Sequence, residues 1–167
     1  MLAIGRTSVK IAPIDPGLPE VATLLEQSDR YMAALYPAES NHLESVTDLS
    51  QPNVTLFGCF VDGALAGCSA VKLLEDDEMR YGEIKRLFVA SAYRRRGISN
   101  ALMEKVEQYL VERGVQAARL EVGISQPEAL SLYRNRGYVK RTPFGRYRHD
   151  PLSAFMEKKL LPGPVTR

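Results

Sequence analysis

The sequence predicts an α/β fold built on a mixed sheet, and three observations carry that expectation. Strand-like and helix-like segments alternate along most of the 167 residues. Asp62-Gly63 lies between two apolar runs, the pattern of a tight antiparallel hairpin. The strand-like runs 84–89 and 119–122 are separated by a helix-length segment, so they should form a parallel pair joined by a right-handed crossover. A sheet containing both a hairpin and a crossover is mixed rather than wholly parallel. The length and the 45% hydrophobic fraction suit one domain, residues 1–167, with a core of its own.

Taken in order, Val9 to Ile14 reads as the first strand. Pro13, Pro16 and Pro19 break the chain, and Leu18 to Leu35 follows as a helix with Val21, Leu24, Leu25, Tyr31, Met32 and Leu35 near one face. Residues 36–42 (YPAESNH) form a polar turn, and a short helix is expected over 43–49. Val54 to Val61 and Ala64 to Leu74 are the arms of the Asp-Gly hairpin. Ile84 to Val89 is the next strand, and Ser99 to Arg113 a helix with Ala101, Leu102, Val106, Tyr109 and Leu110 on one face. Gly114 caps that helix. Arg119 to Val122 is a strand, Pro127 to Arg136 a helix that begins on proline and ends at Gly137, and 138–140 and 153–159 are the last strands.

The net charge of +2 conceals two unlike halves. Residues 1–83 carry 5 Lys/Arg against 13 Asp/Glu, whereas residues 84–167 carry 17 against 7. This suits an anionic ligand in the second half and a cationic one near the first, although scattered solvated charge gives the same count. Nucleic acid is disfavoured, because the basic residues fall in separate segments without interleaved stacking aromatics. No apolar run approaches the roughly 20 residues that cross a bilayer. No basic-then-apolar leader opens the chain and it has two cysteines, so a cytoplasmic setting without a membrane partner is expected.

The chemistry concentrates in residues 83–103, EIKRLFVASAYRRRGISNALM. A strand runs into a turn containing Arg94, Arg95, Arg96 and Gly97, which opens directly into a helix. Helix N-termini present unpaired N–H groups and partial positive charge, which suits a phosphate or pyrophosphate. The turn also lies at the carboxyl end of a parallel strand, where ligands bind in such sheets.

This run resembles the first conserved motif of the GNAT superfamily of N-acetyltransferases, a strand followed by Gln/Arg-x-x-Gly-x-Gly/Ala at a helix start. Here it reads Arg94-Arg95-Arg96-Gly97-Ile98-Ser99, with serine at the last position. Residues 121–139 (EVGISQPEALSLYRNRGYV) resemble the second motif, with Gln126 where many relatives have asparagine. The resemblance implies a splayed sheet of about seven strands flanked by about four helices, with acetyl-CoA as co-substrate and no metal. It implies a cofactor site from Leu87, Phe88, Val89, Arg94, Arg95, Arg96, Gly97, Ile98, Ser99, Asn100, Gln126 and Tyr133.

The implied reaction is attack of a primary amine on a thioester. The amine must be neutral, its pKa being about 8 to about 10.4. The carbonyl oxygen needs a donor, for which the N–H of Phe88 or Val89 is placed, and the thiolate needs a proton. Tyr133 matches the motif tyrosine that acts as general acid, and a phenol is protonated at neutral pH. Glu83 is the candidate base, acting directly or through water, with Glu121 on the neighbouring strand as its competitor. The acceptor site is expected from two loops, with Tyr36, Glu39 and His42 in one and Phe144 and Tyr147 in the other. Glu39 together with Arg146 and Arg148 would permit a zwitterionic acceptor.

With a two-residue turn at Asp62-Gly63, Cys59 would face Ala66 and share a sheet face with Cys68 diagonally, about 7–8 Å away and too far to bridge. No histidine lies nearby in sequence to activate either thiol. Direct transfer to a small-molecule amine is therefore the leading expectation. A protein or peptide amine is the alternative within the class, a non-catalytic CoA-binding sensor the alternative outside it, and a homodimer is left open.

Overall fold

The computed structural model describes residues 6–160. In chain order the elements are β1 (Val9–Pro13), α1 (Pro19–Leu35), α2 (Val46–Leu49), β2 (Val54–Val61), β3 (Ala64–Glu75), β4 (Arg80–Val89), α3 (Ile98–Glu112), β5 (Ala117–Gly123), α4 (Pro127–Asn135), β6 (Val139–Arg141) and β7 (Ser153–Lys159). The strands form one sheet in the order β1-β2-β3-β4-β5-β7-β6. Every pair is antiparallel except β4–β5, so the mixed sheet expected from the hairpin and the crossover is present.

Helix α1 begins on proline, which has no N–H to leave unpaired at a helix start. It buries Val21, Leu24 and Leu25 with Leu49, Leu56, Cys68 and Ala70 on one face of the sheet. Tyr31, expected in that stripe, is 39% exposed instead. On the opposite face Leu102, Met103, Val106 and Leu110 of α3 have no exposed surface. Burying each such side chain is worth about 1.5–3 kcal/mol. A third cluster of Tyr81, Ala117, Phe144 and Phe155 closes the lower sheet on the α1 side.

Strand β4 begins four residues before the apolar run that marks it in sequence. Arg80–Glu83 has little strand propensity but pairs with Lys72–Glu75 across the turn from β3. Glu83 is therefore a mid-strand residue rather than a strand start.

Two bulges shape the centre of the sheet. The first falls between Cys59 and Phe60, so that Cys59 faces Gly67 and Cys68 faces Gly58. That corrects the expected shared face. One extra residue reverses the facing of the strand beyond it, and Cys59 packs in the cluster beneath α3 while Cys68 packs in that beneath α1. Both thiols are free and buried. The second bulge is in β4, where Cys68 faces Phe88 and Ala70 faces Lys85, leaving Arg86 and Leu87 opposite Ser69 alone. Arg86 there has φ 57°, a left-handed conformation for a non-glycine residue.

The β4 bulge bears directly on the opening of the sheet. Pairing of β4 with β5 runs from Tyr81↔Ala117 to Ile84↔Leu120 and stops. Beyond it β5 remains paired with β7 as far as Gly123↔Ser153, while β4 diverges toward β3. Residues 85–89 and 121–123 thus form the two sides of a slit.

Candidate active site

A cleft of about 690 Å³ occupies that slit, running from the start of α3 to residues 36–43 and Tyr147. At the α3 end, β4 passes through a short turn, Ser91–Tyr93, into residues 94–97. Arg95 (φ 62°) and Gly97 (φ 75°) both take left-handed conformations. Gly97 occupies the N-cap and no side chain caps the helix, so the first amides of its 15 residues open toward the cleft with the positive end of the dipole.

The three arginines have different positions. Arg95 lines the cleft. Arg94 also lines it but is engaged by protein, donating from Nε to the Val89 carbonyl at 3.3 Å and lying over the Tyr31 ring at 5.4 Å and the Phe88 ring at 5.8 Å. Arg96 stacks on Tyr93 at 5.4 Å and lies outside the lining. Gly97, Ile98, Ser99 and Asn100 all line it, and Asn100 Oδ1 accepts from Arg136 at 2.7 Å.

Leu87, Phe88 and Val89 form the β4 side of the slit. The Ala90 N–H bonds to Ala66 of β3. Successive N–H groups of an extended strand point to opposite edges, so the Val89 N–H faces the slit. Tyr133 of α4 reaches the slit from the α3 side, packed with Leu120 and Val122. Burial, and secondarily the Glu121 carboxylate, push its pKa above the ordinary phenol value, so the hydroxyl stays protonated.

Glu121 is on the other face. Leu120 and Val122 belong to the α3-side core, so alternation places Glu121 on the α1 side. It lines the cleft and accepts from Ser153 Oγ at 2.6 Å. Burial pushes its carboxyl pKa up, while the Ser153 hydroxyl and the neighbouring His42 and Lys85 side chains oppose that rise.

Gly123, two residues on, leaves room on that same face. A Cβ there would collide with the Tyr36 hydroxyl. The glycine therefore admits the Tyr36 ring, whose oxygen accepts from the Ser125 amide at 3.1 Å and donates to Gln126 Oε1 at 3.5 Å. Tyr36, Gln126 and His42 line the cleft, and the His42 ring meets Tyr147 edge-on at 5.4 Å.

Besides Arg96, three sequence-nominated residues lie off the cleft. Glu83 is 6% exposed and sits behind Tyr147, accepting from its hydroxyl at 2.7 Å. The same hydroxyl accepts from Lys85 Nζ at 2.7 Å, and Lys85 pairs with Glu44 at 2.8 Å. The Tyr147 pKa is driven up by burial and by Glu83. Phe144 is 5% exposed, packed against Tyr81, Tyr147 and Phe155. Glu39 is exposed on the short helix Ala38–Ser40 and is not in the lining.

Sequence reasoning missed Arg86 altogether. Its side chain is 4% exposed and donates to the Glu44 carbonyl at 2.9 Å and to Asp29 at 2.5 Å, tying the β4 bulge to α1 and to the segment before α2. The available signal was Lys85-Arg86, two consecutive cations inside an otherwise apolar strand. A strict alternation cannot bury one face with both, so a bulge was implied.

An uncapped helix start, a left-handed glycine turn and an unpaired strand edge suit a phosphate-bearing chain with amides along it. The family model described as "Acetyltransferase (GNAT) family" matches residues 20–138. The chain belongs to the GNAT acetyltransferase family. It is 41% identical to an IAA acetyltransferase of Azospirillum brasilense over 92% of this chain and 99% of that one. Among solved structures it resembles an acyl-CoA N-acyltransferase of Klebsiella pneumoniae, with TM-score 0.77 and 30% identity over 92% of this chain and 98% of that one. A PaiA N-acetyltransferase of Thermoplasma acidophilum, solved with coenzyme A, shares the fold at TM-score 0.70 and 19% identity, covering 91% of this chain and 99% of that one. GNAT enzymes use acetyl-CoA, and the residues of this cleft fit that ligand. Among the described residues of this GNAT chain, no helix is long and apolar enough to cross a membrane.

Proposed function

We propose that this GNAT enzyme transfers acetyl from acetyl-CoA to the primary amine of a small molecule, directly and without a covalent enzyme intermediate. The observation that carries the reading is the placement of Glu121 and Tyr133 on opposite faces of one slit. Acetyl-CoA supplies a thioester open to attack by an amine. The α3 amides with Arg95 and Gly97 hold its pyrophosphate, and the free β4 edge at Leu87–Val89 holds its amide-bearing arm.

Glu121 is the base of this proposal. It borders the cleft, and its raised pKa brings a carboxylate closer to the range in which it can take a proton from an ammonium. Glu83, held behind Tyr147, positions that tyrosine instead. The Val89 N–H faces the developing charge on the carbonyl oxygen. Tyr133, protonated at neutral pH, gives its proton to the departing thiolate. A cysteine relay has no support: neither thiol lines the cleft, and burial pushes Cys68 up to about 12.

The small-molecule acceptor rests on the aromatic and polar lining of the cleft end away from α3, which includes Tyr36, His42 and Tyr147. The name of the Azospirillum relative points the same way. A panel of amines assayed for thiol release from acetyl-CoA tests the proposal. Turnover with a small amine but not with peptide N-termini supports it. Acetyl-CoA binding without release for any amine would replace it with a sensor.

A further inference from the structure

We propose that Ser153 is a positioning residue that aims the Glu121 carboxylate into the cleft and holds it ionised at the pH of the reaction. This rests on the reading of Glu121 as the base.

The argument begins with the β5–β7 register. Ser153 stands directly opposite Gly123, and Phe155 opposite Glu121. Paired residues of an antiparallel ladder share a face, so Ser153, Gly123 and Glu121 lie on one face, with Ser153 diagonal to Glu121. Gly123 offers no side chain for Ser153 to meet. The space above Gly123 is taken by the Tyr36 ring, and the hydroxyl of Ser153 turns to Glu121 Oε1 at 2.6 Å. The carboxylate is thereby held from β7 while its other oxygen remains for the amine.

Every other element packed around Glu121 contributes a group of different effect. His42, from the turn after α1, and Lys85 of β4 favour the charged carboxylate, whereas Glu83 of β4 disfavours it. Tyr133 of α4, Tyr36 at the end of α1 and Tyr147 border it as neutral phenols, each held protonated by burial. Lys85 is already committed to Glu44 and Tyr147. Ser153 is thus the direct donor that offsets desolvation of Glu121. A hydroxyl donating to a carboxylate favours its ionised form. Removing it raises the Glu121 pKa and lets the side chain turn away from the slit.

The test is the pH profile of kcat/KM for Ser153→Ala and Ser153→Thr, with acetyl-CoA and the best amine of the panel. In Ser153→Ala the acidic limb should move to higher pH by about one unit, so that turnover below the limb falls about tenfold. Acetyl-CoA affinity by calorimetry and melting temperature should remain near wild type. Ser153→Thr, which keeps the hydroxyl, should return the limb to its wild-type position. A limb that stays in place in Ser153→Ala, or a Thr variant that shifts as far as the Ala variant, overturns the proposal. Glu121→Gln separates the two levels. If it abolishes turnover while Ser153→Ala leaves the limb unmoved, only the role of Ser153 fails. If it retains turnover, the base assignment fails and the proposal for Ser153 fails with it.

Discussion

Tyr147 Oη donates to Glu83 Oε2 at 2.7 Å while accepting from Lys85 Nζ at the same distance. Both faces of that hydroxyl are therefore spent on protein, and the carboxylate most readily nominated from sequence is shielded from the cleft by it. Glu83 pairs in register with Arg119, one pleat repeat below Glu121. Two residues of strand are about 6.6 Å, enough to exchange the floor of the cleft for its interior.

The two glutamates should consequently separate in mutagenesis. Glu121→Gln should lower kcat/KM by about 10²–10⁴-fold, the usual worth of a general base, whereas Glu83→Gln should lower it by less than about tenfold. An amide oxygen at position 83 still accepts from Tyr147. Steady-state thiol release decides the matter, and the reverse order would make Glu83 the base.

Removal of the Tyr133 hydroxyl should act on chemistry alone. Tyr133→Phe keeps the buried ring against Tyr138, whose centroid is 5.9 Å away. Turnover should fall by about 10²–10⁴-fold with acetyl-CoA affinity changed by less than about twofold. An unchanged rate in the same assay excludes Tyr133 as the acid.

Gly123→Ala should displace Tyr36. The new Cβ would overlap the hydroxyl and the ring carbon that bears it, so the ring must leave and the Ser125 amide loses its acceptor. Overpacking of this kind costs about 1–3 kcal/mol, read as a lower melting temperature. The amine KM should rise more than the acetyl-CoA KM. Tyr36→Leu combined with Gly123→Ala should cost less than the sum of the two, as residues in contact do.

Acid should loosen the lower end of the sheet through Asp76. The Arg119 guanidinium donates to its carboxylate at 2.7 Å, and the Met79 and Glu78 amides add to the hold, bringing its pKa down to about 2. A carboxylate whose folded pKa lies below its unfolded value of about 3.9 stabilises the fold above that value. The contribution is lost as pH falls from about 4 to about 2. Melting temperature should drop through that window in the wild type, and Asp76→Asn should flatten the drop while lowering stability at neutral pH.

The architecture was legible because its signals are local. Asp62-Gly63, Pro127 and Gly97 mark turns and helix starts, and the apolar stripe of α3 fixes what it buries. The α3 end of the cleft was legible for the same reason, being one continuous run of chain. The end toward Tyr36 and Tyr147 was not, since it is assembled from β4, β5, β7, the turn after α1 and the segment before β7. Which carboxylate reaches the cleft depends on register, and the Lys85-Arg86 pair that hints at the β4 bulge does not by itself fix that register. Phe144 illustrates the remainder. An aromatic residue in a polar loop reads as a ligand contact, yet it packs on Arg119 and Tyr81, a buried cation and ring that the sequence separates widely.

The burial of Cys59 and Cys68, on opposite faces of the sheet and each with no exposed surface, has a practical side. A disulfide dye added to the native enzyme meets no accessible protein thiol, so its colour reports coenzyme A alone. Left in contact for hours without substrate, the same dye becomes a clock for the opening of the sheet, because labelling of either sulfur requires the core on its side to part. Single Cys59→Ser and Cys68→Ser variants would time the two faces separately.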